Sequence, residues 1–153
     1  MNRRINTSLV AASVLLVAAC VLLASCVTPS VNVQTARLGD INLRGLNVDL
    51  FLNVDNPNQF ALPLEEVDWK MQLFDLNVGS GTSRMDKNLP AQESTRIKMP
   101  IEITFRSASE AASKVVKSRS IPWTLDGTMT VRAPTGPIGL DFGDNGRWDN
   151  PLR

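Results

Sequence analysis

From residue 46 onward the chain keeps returning to a strict period of two, and that rhythm constrains its fold more than any other feature. Leu46, Val48, Leu50, Leu52 and Val54 alternate with Asn47, Asp49, Phe51, Asn53 and Asp55. Ile97, Met99, Ile101, Ile103 and Phe105 form a second such row, and Trp123, Leu125, Gly127, Met129 and Val131 a third. Val67, Trp69, Met71 and Leu73 make a fourth. Only an extended strand sends alternate side chains to opposite faces, so each run is a strand with one face buried and one wet. Pro100 falls on the polar side of its run, which predicts an edge position or a bulge.

Turn residues separate the runs. Asn56-Pro57-Asn58, Asp75-Leu76-Asn77, Pro134-Thr135-Gly136-Pro137 and Asp144-Asn145-Gly146 all carry residues that suit reversals. The second predicts a hairpin between 67–74 and 78–85, and the last predicts another hairpin turn. With Val31–Ile41 and Ile138–Phe142 the count is about seven strands. Short strands and regular turns predict an all-β sandwich of immunoglobulin- or fibronectin-III-like form.

One segment breaks the rhythm. Ser107-Ala108-Ser109-Glu110 reads as a capping box, followed by Ala111, Ala112 and Val115 at helical spacing. Glu110 and Lys114 stand four apart, and Lys114, Lys117 and Arg119 suit the negative end of a helix. A single helix, about Ala108 to Ser118, is expected between two strands.

The N-terminus concerns address. Leu9 to Val27 carries no charge, and Arg3 and Arg4 precede it. A basic start, an apolar run and small residues describe a secretory signal peptide. Here the small residues lead into Leu23-Ala24-Ser25-Cys26, which resembles the bacterial lipoprotein signal. That resemblance implies cleavage before Cys26, a diacylglyceryl group on its thiol and acylation of the new amino terminus. Val17-Ala18-Ala19-Cys20 fits less well, because it would leave Val21-Leu22-Leu23 on the mature chain. Arg3-Arg4 hints at twin-arginine export, but Asn6-Thr7 stand where that motif has bulky apolar residues. An uncleaved membrane helix over the same run is the alternative, since nineteen uncharged, mostly apolar residues just span a bilayer.

These readings divide the chain into a signal peptide (1–25), a lipidated tether (26–30), the sandwich (31–145) and a polar C-terminal tail (146–153). Extended, the tether from Val27 to Ser30 would reach about 15 Å. The resemblance places the protein in the cell envelope, lipid-anchored and facing the periplasm. Val27 rather than an aspartate after the cysteine implies the outer membrane, if the cell has one. Mature, the chain has no free thiol and no disulfide, so it folds on its core alone.

With the strands in place, the run from Leu46 to Phe60, ending Asp55-Asn56-Pro57-Asn58-Gln59-Phe60, resembles the signature of the WHy (water stress and hypersensitive response) domain of type 2 late-embryogenesis-abundant proteins. Later segments keep the family's order: Val67–Leu73, Val78-Gly79-Ser80-Gly81, Leu89-Pro90-Ala91, Ile97–Phe105, Ser107–Lys117, Leu125-Asp126-Gly127 and Pro134–Pro137. The resemblance implies a Greek-key sandwich with one helix and a part in desiccation, cold or other stress. Asn56, Pro57 and Asn58 are read as a structural turn: Asn56 is pushed to extended geometry, Pro57 ends the ladder, and Asn58 bonds local backbone. A ligand role for the two amides is the lesser alternative.

The residues that are missing narrow the chemistry. There is no histidine and no tyrosine, which removes His-based acid–base catalysis, His-containing triads and the commonest metal ligand. Glu65 and Glu66, adjacent on a strand, are expected on opposite faces rather than as an acid pair. Asp141, Asp144, Asn145 and Asp149 invite a calcium reading, but Gly143 and Leu152 stand where an EF-hand loop needs oxygens. No Gly-rich phosphate loop opens a helix. The expectation is no enzyme, no cofactor and no metal. Net charge is +1 for the whole chain, and cleavage of Arg3 and Arg4 leaves 14 basic against 15 acidic residues. That balance argues against nucleic acid as a partner, which would need a concentrated basic face.

Trp69 and Trp123 lie on apolar rows and are expected in the core. Trp148, in the polar tail, either packs back on the sandwich or faces a partner. The expected function is a membrane-anchored protectant of the envelope, acting by surface contact with protein clients or membrane. The alternative is an adaptor or carrier that binds a hydrophobic ligand or an envelope protein, and a cavity between the sheets or under the helix would favour it.

Overall fold

The computed structural model describes residues 26–42, 44–105 and 109–153. Among them are seven strands and one helix: β1 (Ser30–Asn42), β2 (Gly45–Asn56), β3 (Leu62–Leu73), β4 (Leu76–Leu89), β5 (Glu93–Thr104), α1 (Ser109–Lys117), β6 (Ser120–Ala133) and β7 (Gly136–Asp149). They form two antiparallel sheets, β1-β2-β5 and β4-β3-β6-β7. The chain crosses between them at β2–β3, β4–β5 and β5–β6, which makes the sandwich that the alternation predicts.

Each alternating row becomes an inner face. Leu46, Val48, Leu50, Leu52 and Val54 of β2 are all buried, as are Ile97, Met99, Ile101 and Ile103 of β5. They meet Val67, Met71 and Leu73 of β3 and Leu125, Met129 and Val131 of β6 in one continuous core. The two central strands of the larger sheet thus face the central strand of the smaller one, as burial of apolar surface demands. Pro100 is exposed on β5, an outer strand, the edge position that its place in the run predicts.

Glycines opposite aromatic rings shape the larger sheet. Gly127 pairs in register with Phe142, and a methyl on Gly127 would stand 2.3 Å from the Phe142 ring and 2.4 Å from the Asp68 carbonyl oxygen. Gly146 pairs with Trp123 in the same way, 2.8 Å from its ring. In each case the ring lies flat across the neighbouring strand and needs the space that a side chain would fill.

Four expectations are corrected. Asp144-Asn145-Gly146 is no turn: β7 runs unbroken through it, paired with Leu125, Thr124 and Trp123 of β6. The tail therefore does not start at 146. Trp148 lies inside β7, buried and stacked on Trp123 with ring centres 5.2 Å apart, and its indole Nε1 donates to the Ala36 carbonyl of β1 at 2.8 Å. That bond ties the edges of the two sheets together. The expected hairpin between β3 and β4 forms, but its turn is Phe74 and Asp75 rather than 75–77, both at positive φ (51° and 62°), the geometry of a two-residue type I′ turn. Finally, a bulge between Leu64 and Glu66 puts both Glu65 and Glu66 between the buried Leu64 and Val67, so they do not point to opposite faces. Glu65 pairs with Arg132.

Helix α1 closes one end of the sandwich through buried Ala111 and Val115. Its C-terminal carbonyls are met by the end of the chain. Asn150, buried, donates from Nδ2 to the carbonyls of Val115 and Ser118, both at 2.7 Å, and Arg153 reaches the Val116 carbonyl. Helix ends leave carbonyls unpaired, and an amide with two hydrogens satisfies two of them. Ser107 and Ala108 of the expected capping box lie outside the described residues, as does the signal segment 1–25.

Candidate functional site

The end of the sandwich opposite the helix gathers the residues singled out from the sequence. Asn56 closes β2, Pro57 is exposed beyond it, and Asn58 folds back under the sheet. Both asparagines are nearly sealed from solvent, 2% and 3% exposed. Asn56 Nδ2 donates to the carbonyls of Phe60 (2.9 Å), Leu89 (3.2 Å) and Pro90 (2.9 Å). Its Oδ1 accepts from the backbone N–H and the Nδ2 of Asn58, at 3.1 and 3.0 Å. Pro57 forces this path, since it fixes its own φ and cannot extend the β2 ladder.

Asn58 uses every polar group it has. Beyond its two bonds to Asn56, its carbonyl accepts from Gln92 N–H at 3.0 Å. Its side chain then grips Val27 from both sides: Nδ2 donates to the Val27 carbonyl and Oδ1 accepts the Val27 N–H, each at 2.8 Å. The amide thus imitates a neighbouring strand for one residue. The tripeptide links the 57–61 turn, the 90–92 turn and the incoming chain into one hydrogen-bonded knot. Buried polar groups so completely paired hold a fixed geometry.

The clamp falls one residue after Cys26, whose thiol is exposed. The sequence reading makes residues 26–30 a tether. Instead Val27 is held and β1 begins at Ser30, so the chain is first fixed one residue after Cys26.

The outer faces of the sheets are polar. Across the larger sheet, Thr82, Asp68, Thr128 and Asp141 stand in one row from β4 to β7. Thr82 Oγ1 donates to Asp68, and Thr128 Oγ1 donates to Asp141 at 2.7 Å. Cross-strand pairs of this sort steady a wet sheet face. On the smaller sheet Phe51 points outward, flanked by Arg37 (5.3 Å) and Lys98 (5.8 Å) from the neighbouring strands, and Lys98 also bridges Asp49 at 2.8 Å. Phe51 is the large apolar residue out of phase in its run, a signal visible in the sequence; its two cations come from strands far apart in the chain.

Among the described residues, no group of three or more acidic or thiol side chains is placed to hold a metal ion. Asp141, Asp144, Asn145 and Asp149 spread along one strand and do not converge. No helix among them is long and apolar enough to cross a membrane. The surface hollows are open. One of about 440 Å³ lies beside α1, lined by Ile41, Asn42, Val116, Leu152 and Arg153, and another of about 560 Å³ lies where β1 meets β7.

Set against known proteins, residues 51–142 match the family model described as late embryogenesis abundant protein, LEA_2. That span runs from the middle of β2 to Phe142 and includes Asn56, Pro57 and Asn58. The chain belongs to the LEA_2 family. The fold of this LEA_2 protein is shared by solved structures of low identity. A late embryogenesis abundant (LEA) protein, provisionally so named, matches with a TM-score of 0.70 at 20% identity, covering 94% of this chain and 85% of its own. A protein from Arabidopsis thaliana matches at 0.69 and 19%, covering 82% and 84%. One from Archaeoglobus fulgidus matches at 0.61 and 11%, covering 81% and 98%. Comparison with curated proteins by sequence finds no match. Val27 and Cys26 lie outside the span of the LEA_2 match, which includes both asparagines.

Proposed function

We propose that this protein is a non-enzymatic envelope lipoprotein of WHy type, anchored through Cys26, that protects proteins or membrane during drying or related stress. LEA_2 membership supports the stress theme. The observation that carries the reading is the contrast between a packed, continuous core and outer faces that are polar or charged apart from prolines and Phe51. Phe51 itself is covered by two cations. Such a surface offers many weak, exchangeable hydrogen bonds and few apolar contacts, which suits shielding of neighbours more than capture of one ligand.

The test uses full-length protein reconstituted in phospholipid vesicles. The vesicles are dried and rehydrated beside a labile enzyme such as malate dehydrogenase, and both light scattering and leakage of an entrapped dye are followed. Less aggregation or leakage than with equal masses of albumin is expected. Equal protection from albumin would sink the proposal.

An adaptor role is favoured by one observation. Val116 and Leu152, both exposed large apolar residues, border the same 440 Å³ hollow beside α1. An envelope protein docking there would bury them. Photocrosslinking from position 116 in cells would then yield one discrete adduct, whereas a general protectant gives a smear.

A further inference from the structure

We infer that the end of the sandwich formed by the 57–61, 90–92 and 134–135 turns is laid flat against the phospholipid headgroups, held there by the grip of Asn58 on Val27. This rests on the anchored reading above, but adds an orientation to it. A free five-residue tether would let the domain tumble. Here the chain is fixed at Val27 by two 2.8 Å bonds to a buried, fully paired side chain. Only Cys26 stands between that point and its own acyl chains, and one residue spans at most about 3.6 Å. The turns around Val27 are therefore brought within a side chain's length of the lipid surface.

The composition of that end fits its place. The three turns 57–61, 90–92 and 134–135 include no charged residue, and the nearest exposed charge is Glu93 at the foot of β5, in register with Asn56. The opposite end carries Arg44, Asp75, Lys114, Lys117, Arg119 and Arg153. Bringing a charge toward hydrocarbon is costly, while an uncharged surface approaches at little cost. Pro57, Pro90 and Pro134 also have no backbone N–H that would need water. Val27, half exposed at 51%, adds an apolar side chain where the anchor leaves. The rival arrangement turns the domain over, so that Lys114, Lys117 and Arg119 meet anionic headgroups. The fixed exit point at Val27 opposes it, because those residues lie at the far end of the strands.

Single-cysteine labelling can separate the two, since an acylated Cys26 leaves the mature chain without a thiol. Exposed Gln59→Cys and Thr135→Cys report on the anchored end, and Ser113→Cys on the helix end. Each full-length variant is labelled with an environment-sensitive dye, reconstituted in phosphatidylcholine vesicles and quenched by headgroup spin-labelled lipid. Quenching several-fold stronger at 59 and 135 than at 113 is expected, unchanged by high salt or by anionic lipid. Equal quenching at the three positions, or stronger quenching at 113, overturns the orientation.

A Gly-Ser spacer of six residues between Cys26 and Val27 leaves the clamp and fold intact but lengthens the tether. It should weaken quenching at 59 and 135, and unchanged quenching would overturn the role of the clamp. Intact mass of the same samples distinguishes the two readings. Dye on Cys26 in place of acyl chains sinks the anchored reading and the orientation with it. Acylated Cys26 with uniform quenching sinks the orientation alone.

Discussion

Replacing Asn56 tests how much the knot at the end of β2 contributes to stability. Asn56→Ala removes a side chain that bonds three carbonyls and accepts from Asn58. Two of the groups left behind, the Leu89 carbonyl and the Asn58 N–H, take part in bonds that are fully buried, out of reach of water. An orphaned buried group costs about 1–3 kcal/mol. The Phe60 and Pro90 carbonyls are part-buried and can turn to solvent, so the expected loss is about 3–4 kcal/mol. That is a large share of the roughly 5–15 kcal/mol that holds an ordinary domain.

Asn56→Asp should be worse despite its identical shape, because a carboxylate would face three carbonyl oxygens with no hydrogen to offer. A protonated carboxyl keeps one donor. Its pKa in the fold would therefore be raised, and the Asn56→Asp penalty would be full near neutrality and shrink as pH falls through that raised value. Asn58→Ala should cost less, about 1–2 kcal/mol, since the freed Val27 groups lie at the exposed end and can bond water. Urea unfolding of the detergent-solubilised full-length protein, followed by fluorescence of the stacked Trp123–Trp148 pair, gives the order. An Asn56→Ala variant within about 0.5 kcal/mol of wild type would refute the reasoning, a change no larger than an ordinary surface substitution produces. So would an Asn56→Asp variant as stable as Asn56→Ala at neutral pH.

Other sites give simpler expectations. Gly127→Ala should destabilise by about 3 kcal/mol by urea midpoint, because the new methyl meets the Asp68 carbonyl as well as the movable Phe142 ring. Trp148→Phe keeps an aromatic stack but loses the bond to Ala36, for about 1–2 kcal/mol and faster hydrogen exchange in β1. Lys98→Ala should change stability by less than about 1 kcal/mol in a salt titration, since its pair with Asp49 is exposed on both sides.

How far the sequence reaches can be judged from particular elements. Strands β2, β5 and β6 are legible because their period of two is a local property, set residue by residue by burial on one side. Helix α1 is legible for the same reason, from its apolar spacing. The end of β7 is not. Asp144-Asn145-Gly146 reads locally as a turn, yet the space Gly146 leaves is used by Trp123, more than twenty positions earlier. Only cross-strand pairing reveals that use. Trp148 reads as part of a polar tail because both its partners, Ala36 and Trp123, are distant in the chain.

The asparagine turn was half legible. Proline chemistry marks Asn56-Pro57-Asn58 as a reversal, but nothing local says that the amides are buried or that Asn58 reaches back 31 residues to Val27. The bulge at Glu65 is likewise invisible to alternation, which assumes an unbroken pleat.

Intact mass of the membrane-extracted protein, wild type beside Cys26→Ala, bears most heavily on the proposed anchoring through Cys26. A chain that begins at Cys26 and carries acyl groups, with processing and acylation both lost in Cys26→Ala, is the expected result. A wild-type chain that keeps residues 1–25 and bears no lipid would contradict it, and would make 9–27 a membrane helix.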